Sequence, residues 1–535
     1  MTAVFTLRES RTIMKTRILT TILILCLLFS CVACGEPVSN DDTTDPSGTT
    51  APTTAPSTAP EEEVNYPSAP PVDPDKVALK VNGMDVSAIA LNYFYADAIN
   101  ETVNQYGQWI SYILDVSKPL SQQYLDKDIT WAEHFLNSAT SSAKNTYALY
   151  GAAQAAGHKL SDAEAEALNN LYDNMTTAVK NYGYKNVDAY LIDAYGAGST
   201  FQSYKSYYEM VLTASSYYNA YSKTLFDSYT PAILREYEGD EPYRYNLYSY
   251  YTYFLDAKRF TSTEALQEAA KNLSDTSNNT IDKMNAAIEQ IERQLAGDQD
   301  SEKKYPTAVV NTDKAYPDIN AALQEWLRDT SRKEGDIAAF PNYSTDEDKN
   351  TTLLGYYIVQ FKEVKDNMFA MANVRHILVA FEGGTYDKTT GQTTYSDAEK
   401  AKAKAEATKI YDEWLNGAKT EDSFAELAKK YTDDGNGDVG GIYENIFPGQ
   451  MVQTFNDWCF DDSRAPGDHG LVETEFGYHI MFYSSKSKTT YRDFIVGNEK
   501  LTKDMEAWQK ALMDGATLET IDTSAVNIHY VIYKG

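Results

Sequence analysis

From Val77 the chain reads "VALKVNGMDVSAIALNYFYADAIN": a short apolar alternation, a turn at Asn82-Gly83, then apolar positions at helical spacing from near Ser87. The same helical rhythm continues through "ITWAEHFLNSATSSAKNTYALYGAAQAAG", "SDAEAEALNNLYDNMTTAVKNYG" and "TFQSYKSYYEMVLTASSYYNAYSKTLFDSY", with Gly and Asn near the ends. An all-helical region over 78–240 is predicted. The rhythm then changes. "VRHILVAF", Val374 to Phe381, reads as a strand and is followed by an acid- and Gly-rich loop. Two helices follow in "SDAEKAKAKAEATKIYDEWLNG" and "SFAELAKKY", then a turn in "TDDGNGDVGG". A short helix around "GQMVQTFNDWCF" precedes the strands "GLVET" and "FGYHIMFY". Strand, helices and returning strands over 371–487 predict a compact α+β domain. The last segment, 488–535, holds the helical "TYRDFIVGNEKLTKDMEAWQKALMDGA" and the strand-like "VNIHYVIY".

Upstream of this body, "MKTRILTTILILCLLFSCVACG" has a basic start, an apolar run from Ile18 to Phe29 and small residues before a cysteine. This is the layout of an export signal over 1–34, and the run is shorter than the roughly 20 residues of a membrane span. "VACG" resembles the lipobox of bacterial lipoproteins, which implies that Cys34 carries the lipid and becomes the mature N-terminus; Cys31 is the second candidate. Residues 35–77 are rich in Pro, Thr and Ser and poor in apolar side chains, so they cannot offset the entropy of ordering and read as a disordered tether. The expected location is extracytoplasmic, held by the lipid at the outer face of the cytoplasmic membrane.

Composition narrows the function classes. A net charge of −30 repels phosphate backbones and excludes nucleic acid as a partner. Of the 4 cysteines, Cys26, Cys31 and Cys34 fall in the signal, leaving Cys459 alone in the body, so neither an internal disulfide nor a cysteine zinc site forms there. The 42 tyrosines serve packing in the main, and any that are exposed suit contact with unfolded chains.

Five blocks in the 371–487 segment stand in a telling order: "RHILV", "FAELAKKYTDD", "GDVGG", "GQMVQTF" and "TEFGYHI". Together they resemble a parvulin-type peptidyl-prolyl cis–trans isomerase, and the "VNG" strand followed by long helices is similar to the chaperone region of PrsA-like and SurA-like foldases, a resemblance that implies a return of 488–535 to the body. The resemblance implies a catalytic set of His376, His479, Asp434 and Thr474, with Asp434 where some members carry cysteine. It also implies an apolar proline pocket of Val439, Met451 and Phe455, Met451 and Phe455 being four apart on one helical face. Phe476 stands where phosphate-directed members often carry serine and joins the substrate-binding set. The loop after "VRHILVAF" lacks a cluster of Arg and Lys, so phosphorylated substrates are excluded. These residue types suit the chemistry. Rotation about X-Pro meets a barrier of about 18–20 kcal/mol from C–N double-bond character, and no covalent step is required. A dry pocket that holds the ring, beside polar groups that favour the twisted amide, lowers that barrier by differential binding. No cofactor or metal is expected, and His134, His158, His469 and His529 are read as structural or surface residues.

A second pattern lies upstream. "LQEWLRDTSRKEGD" from Leu323 matches "FNDWCFDDSRAPGD" from Phe455 without a gap, and "LLGYYIVQF" matches "FGYHIMFY" with Tyr357 in place of the histidine. With "YRYNLYSYYTYF" and "STEALQEAAKNL" as its opening strand and helix, 241–368 is expected to be a degenerate parvulin-like domain without histidines. The whole is read as an α+β multidomain foldase lipoprotein: a helical chaperone domain, a silent copy and an active isomerase, acting on unfolded or newly secreted polypeptides. The alternative is a holdase that uses the parvulin fold for binding only.

Overall fold

The computed structural model describes residues 73–526 apart from 116–117, 182, 277–279, 298–302, 347–348 and 388–391. The signal, Cys31, Cys34, residues 35–72 of the tether, His529 and "VNIHYVIY" beyond Val526 lie outside the described residues. The described residues form two units, one of 73–227 with 503–526 and one of 228–502.

In the first unit, β1 (Val77–Val81) and β2 (Met84–Ser87) form a hairpin, and the strand Leu518–Thr520 pairs with the other edge of β1. Asn82 and Gly83 both take positive φ, as a two-residue hairpin turn requires. The helix expected from near Ser87 is α1 (Ala88–Tyr106); the residues between it and the turn form the return strand, and Ser87 both closes β2 and caps α1, accepting from Ala90 N at 3.3 Å. The region expected to be all-helical also contains a small hairpin of β3 (Tyr124–Asp126) and β4 (Ile129–Thr130). Thr130 then starts α2 (Trp131–Ala155) through a capping box with Glu133, and Ser161 starts α3 (Asp162–Asn169) likewise with Glu164. The helices α4 (Leu171–Asn181), α5 (Val187–Tyr195) and α6 (Phe201–Asp227) complete the unit. Its core is aromatic: the ring of Tyr93 meets those of Tyr195, Tyr204 and Tyr207. Two of the polar tips find partners: Tyr93 Oη lies 2.7 Å from Ser203 Oγ, and Tyr207 Oη donates to Asp97 at 2.7 Å.

The second unit opens with α7 (Pro231–Glu238) and then builds one architecture twice. The first copy comprises β5 (Leu247–Asp256), α8 (Thr263–Thr276), α9 (Ile281–Ala296), β6 (Val309–Ala315), α10 (Ala321–Leu327), β7 (Ile337–Thr345) and β8 (Thr351–Lys365). The second comprises β9 (Ala370–Ala380), the small hairpin β10 (Thr385–Asp387) and β11 (Gln392–Thr394), α11 (Asp397–Leu415) and α12 (Glu421–Tyr431). It continues through β12 (Ile442–Ile446), α13 (Gln453–Cys459), β13 (His469–Glu473) and β14 (Gly477–Thr490). Both sheets are antiparallel and carry the same strand order, β6-β5-β8-β7 and β12-β9-β14-β13.

The likeness extends to single hydrogen bonds. Gly335 N donates to Phe361 O at 2.9 Å and Gly467 N to Tyr483 O at 2.8 Å; Arg332 lies over Trp326 as Arg464 lies over Trp458. Gly355 and Gly477 recur for one reason: a Cβ there would sit 2.1 Å from Leu255 O in the first copy and 2.2 Å from Val379 O in the second. Each sheet buries both faces. In the second copy Ile377, Val379, Ile480 and Phe482 pack under α11 and α12, while Val374, Met481 and Tyr483 pack against Phe455 and Cys459 of α13. The alternation of β9 and β14 places His376 and His479 on the α13 side.

α14 (Tyr491–Gly515) follows β14. At its start Arg492, almost fully buried, uses all five guanidinium donors. Nε and Nη2 clasp Glu238 at 2.9 Å each, Nη1 reaches Asn246 Oδ1 at 2.7 Å and Asp366 O at 3.0 Å, and Nη2 reaches Pro242 O at 2.7 Å.

Candidate active site

β9 and β14 are neighbours in register, with His376 opposite Met481 and His479 opposite Leu378. The two imidazoles therefore sit diagonally on one face, their Nδ1 atoms 3.0 Å apart and their rings stacked at 5.2 Å between centroids. Both are buried, at 2% and 6% exposure. Phe455 of α13 presents its edge to both rings, at 5.5 Å and 5.3 Å.

Each far nitrogen has a polar neighbour. Thr474, in the tight turn after β13, places Oγ1 2.9 Å from His479 Nε2, and the same oxygen accepts Phe476 N at 3.1 Å. Asp434 Oδ2 lies 2.8 Å from His376 Nε2, close but off the line of a hydrogen bond. Asp434 is delivered by the segment after α12, which clips onto the end of β9: Thr432 Oγ1 accepts Leu378 N at 3.0 Å, Asp433 N donates to Leu378 O at 2.9 Å, and Asp433 Oδ2 accepts Ala380 N at 3.0 Å. Arg375 holds the following loop, with Nη1 on Val439 O at 3.1 Å and Gly440 O at 2.9 Å, and Nε on Glu421 at 2.9 Å.

Electrostatics separates the groups. The carboxyl of Asp434 is held well below the usual carboxylate range by His376, helped by the Tyr443 hydroxyl and Gly435 N–H against the cost of burial, so it is ionised. Burial, and then His376, lower His479 to about 3, so it is neutral at neutral pH. A neutral His479 has one donor and one acceptor, which suits a chain of contacts from Thr474 through His479 to His376 and the carboxylate. Linkage gives a testable sign. Between pH 6.5 and about 3 the unfolded state binds the His479 proton and the folded state does not, so stability falls as pH drops. The expected loss from this group is about 2 kcal/mol on going from pH 7 to pH 5. Urea unfolding at both pH values, in wild type and His479→Gln, measures it as the difference between the two slopes.

The structure brings His376, His479, Asp434, Thr474 and Phe455 into one cluster. Three other expected residues stand differently. Met451 was expected one turn before Phe455 on a helix, yet α13 starts only at Gln453; Pro448 and the Gly449 turn, with φ +87°, hold Met451 in the approach, where it packs partly buried against the same core. Val439, in the turn Gly437–Val439, and Phe476, in the turn before β14, are 58% and 54% exposed, so they stand on the surface rather than line a closed pocket. Cys459 is a core residue, its thiol pushed up to about 12 by burial. His134 packs on Trp131, His158 Nε2 meets Ser216 Oγ at 2.9 Å, and His469 contacts Tyr411 and Trp414. One neighbour was not found in the sequence: Tyr443 of β12 stacks on His376, with centroids 5.0 Å apart, and donates to Asp434 Oδ2 at 2.7 Å. Its only signal was an aromatic in "IYENI", which the reading left unassigned between the turn and the short helix.

A parvulin-type fold is what this sheet order and stacked histidine pair define, and comparison agrees: residues 356–486 match the family model of the PPIC-type PPIASE domain. The match begins inside β8, upstream of the expected opening at 371. The chain thus carries a parvulin-type domain over these residues. It is similar to the chaperone SurA of Cupriavidus metallidurans, 27% identical over 159 residues, which cover 28% of this chain and 28% of that protein. Among solved structures it is similar to PrsA from Bacillus subtilis, at 17% identity over 74% of this chain and 92% of the other, with TM-score 0.25. PrsA from Bacillus cereus gives 23% identity over 28% and 49%, with TM-score 0.17. The chain therefore spans under a third of the length of the curated relative it matches. Among the described residues, no helix is long and apolar enough to cross a membrane and no group of three or more His, Cys, Asp or Glu is placed to hold a metal.

Proposed function

We propose that the protein is a peptidyl-prolyl cis–trans isomerase and foldase that assists newly secreted polypeptides, tethered outside the cytoplasmic membrane by a lipid on Cys34. The observation that carries this reading is the buried, stacked His376–His479 pair with Asp434 and Thr474 at its two ends and Phe455 beneath it. Catalysis of X-Pro rotation asks for a site that fits the twisted amide better than either planar form. Phe455 and Met451, with Val439 and Phe476 at the rim, supply apolar contact for the ring, and the histidine chain supplies polar groups fixed before substrate arrives. No bond other than hydrogen bonds forms or breaks, so the chemistry is the chain's own.

In this reading 371–487 is the working domain and 241–368 the silent one. By strand register the first copy places Thr252 where the second has His376, and Tyr357 where it has His479. Residues 78–240 are the chaperone part. A second reading, in which the protein binds chains without turnover, is favoured by exposed Tyr106, Trp109, Tyr112, Tyr124 and Leu125 in that part. Refolding of a protein whose slow phase is limited by X-Pro isomerisation tests the proposal. The wild-type chain is expected to accelerate that phase, and Tyr357→Phe to do so within twofold of wild type. A slow phase unchanged by the wild type favours binding only; a large loss in Tyr357→Phe contradicts the division of labour between the copies.

A further inference from the structure

Among the described residues Asp434 is the charged group set against the histidine pair, and its placement is not explained by its own loop alone. Oδ1 accepts the N–H of Gly435, the next residue, at 2.8 Å, which constrains the side chain but does not aim Oδ2. Oδ2 is held from across the site by the Tyr443 hydroxyl at 2.7 Å. The same tyrosine lies nearly parallel to His376, at 23° and 5.0 Å, while Phe455 meets that ring in a T-shaped contact. One side chain therefore touches both members of the Asp434–His376 contact. It reaches them because β12 pairs with β9 in a register that sets Tyr443 opposite Val374, two residues from His376 on the same face.

The silent copy supplies an independent observation. In matching register, β6 sets Asn311 opposite Tyr250, and Asn311 Nδ2 donates at 3.0 Å to Oγ1 of Thr252, the residue that stands where His376 stands in the other copy. Both copies thus direct a polar side chain from the edge strand onto the central-strand residue at this position. Only the copy with histidines has an aromatic hydroxyl there.

We propose that Tyr443 is a positioning residue of the isomerase site: its ring fixes the plane of His376, and its hydroxyl holds the Asp434 carboxylate against His376 Nε2. This rests on the isomerase reading. With the carboxylate so held, His376 keeps Nε2 protonated and offers Nδ1 to the donor on His479 Nδ1, so the pair presents one tautomeric pattern to an incoming amide. The hydroxyl to carboxylate bond is charge-assisted, so its loss is felt by Asp434 rather than spread through the core.

The test uses the full chain, an unphosphorylated Ala-Ala-Pro-Phe peptide and 15N-labelled histidine. Tyr443→Phe keeps the ring and removes the hydroxyl. The expected result is a fall in kcat of about tenfold with KM within twofold, and imidazole 15N shifts showing His376 moving from a single Nε2–H tautomer to a mixture. Tyr443→Phe placed on Asp434→Asn is expected to change the residual rate no further, because the tyrosine acts through that carboxylate. Activity and 15N shifts in Tyr443→Phe equal to wild type overturn the proposal, and so does an equal loss in both backgrounds. If the wild-type chain does not accelerate isomerisation, the isomerase reading fails, and the 15N shifts alone then decide whether Tyr443 sets the state of His376.

Discussion

Arg492→Met is expected to destabilise residues 228–502 by about 3–5 kcal/mol, the cost of breaking a buried ion pair from one side. The size follows from what the guanidinium does. It makes five hydrogen bonds to four residues in three segments: the end of α7 through Glu238, the entry to the first copy through Pro242 and Asn246, and the link between the copies through Asp366. Neighbouring groups complete the junction, with Asn367 Nδ2 on Tyr245 O at 2.7 Å and Arg492 N on Asn367 O at 2.8 Å. Met fills much of the same volume, so the loss is electrostatic and not a cavity. Glu238 retains Arg235 Nη1 at 2.6 Å, which keeps the cost from rising above that range. Removing both charges, as Glu238→Leu with Arg492→Met, is expected to cost less than the single change, since no buried charge is left without its partner. Urea midpoints with unchanged m-values measure both; a single-variant loss under about 1 kcal/mol would show that the junction is held by packing instead.

His479→Ala is expected to lower X-Pro isomerisation by roughly 10- to 100-fold, in the range found for removing one preorganised polar group from a site. The side chain is the midpoint of the chain from Thr474 to His376, so its removal leaves both neighbours without their contact. Stability is a separate matter. Loss of a buried ring next to Phe455 creates a small cavity, so the variant's fold is checked by circular dichroism before its rate is read.

Much of the second copy was legible because its elements carry strong patterns. "FGYHIMFY" is apolar almost throughout, and β14 is buried on both faces from Gly477 to Tyr483. Ser396 with Glu399 marks the start of α11, and the structure has the capping box there. The histidine pair was a different case. Its members are 103 positions apart, so no local pattern joins them, and only the resemblance brought them together before the sheet register did. β12 escaped the sequence because "IYENI" is short, breaks alternation with Glu444 and Asn445, and includes a non-glycine residue at φ +57°. With it went Tyr443. Met451 was misplaced because helical spacing to Phe455 does not show where a helix begins, and the Pro448-Gly449 turn delays that start. The hairpin of β3 and β4 was missed for a like reason: "YLDKDIT" is short and its apolar Tyr124, Leu125 and Ile129 are exposed, so no buried face gives it a period.

The central claim is that the His376–His479 site turns over X-Pro bonds, and the most direct measurement is the cis–trans rate of an unphosphorylated X-Pro peptide with the full chain. Wild type is expected to accelerate the uncatalysed rate, and His479→Ala, folded to the same degree, to lose most of that acceleration. A folded wild type that leaves the rate unchanged, or a His479→Ala chain as fast as wild type, would contradict the account.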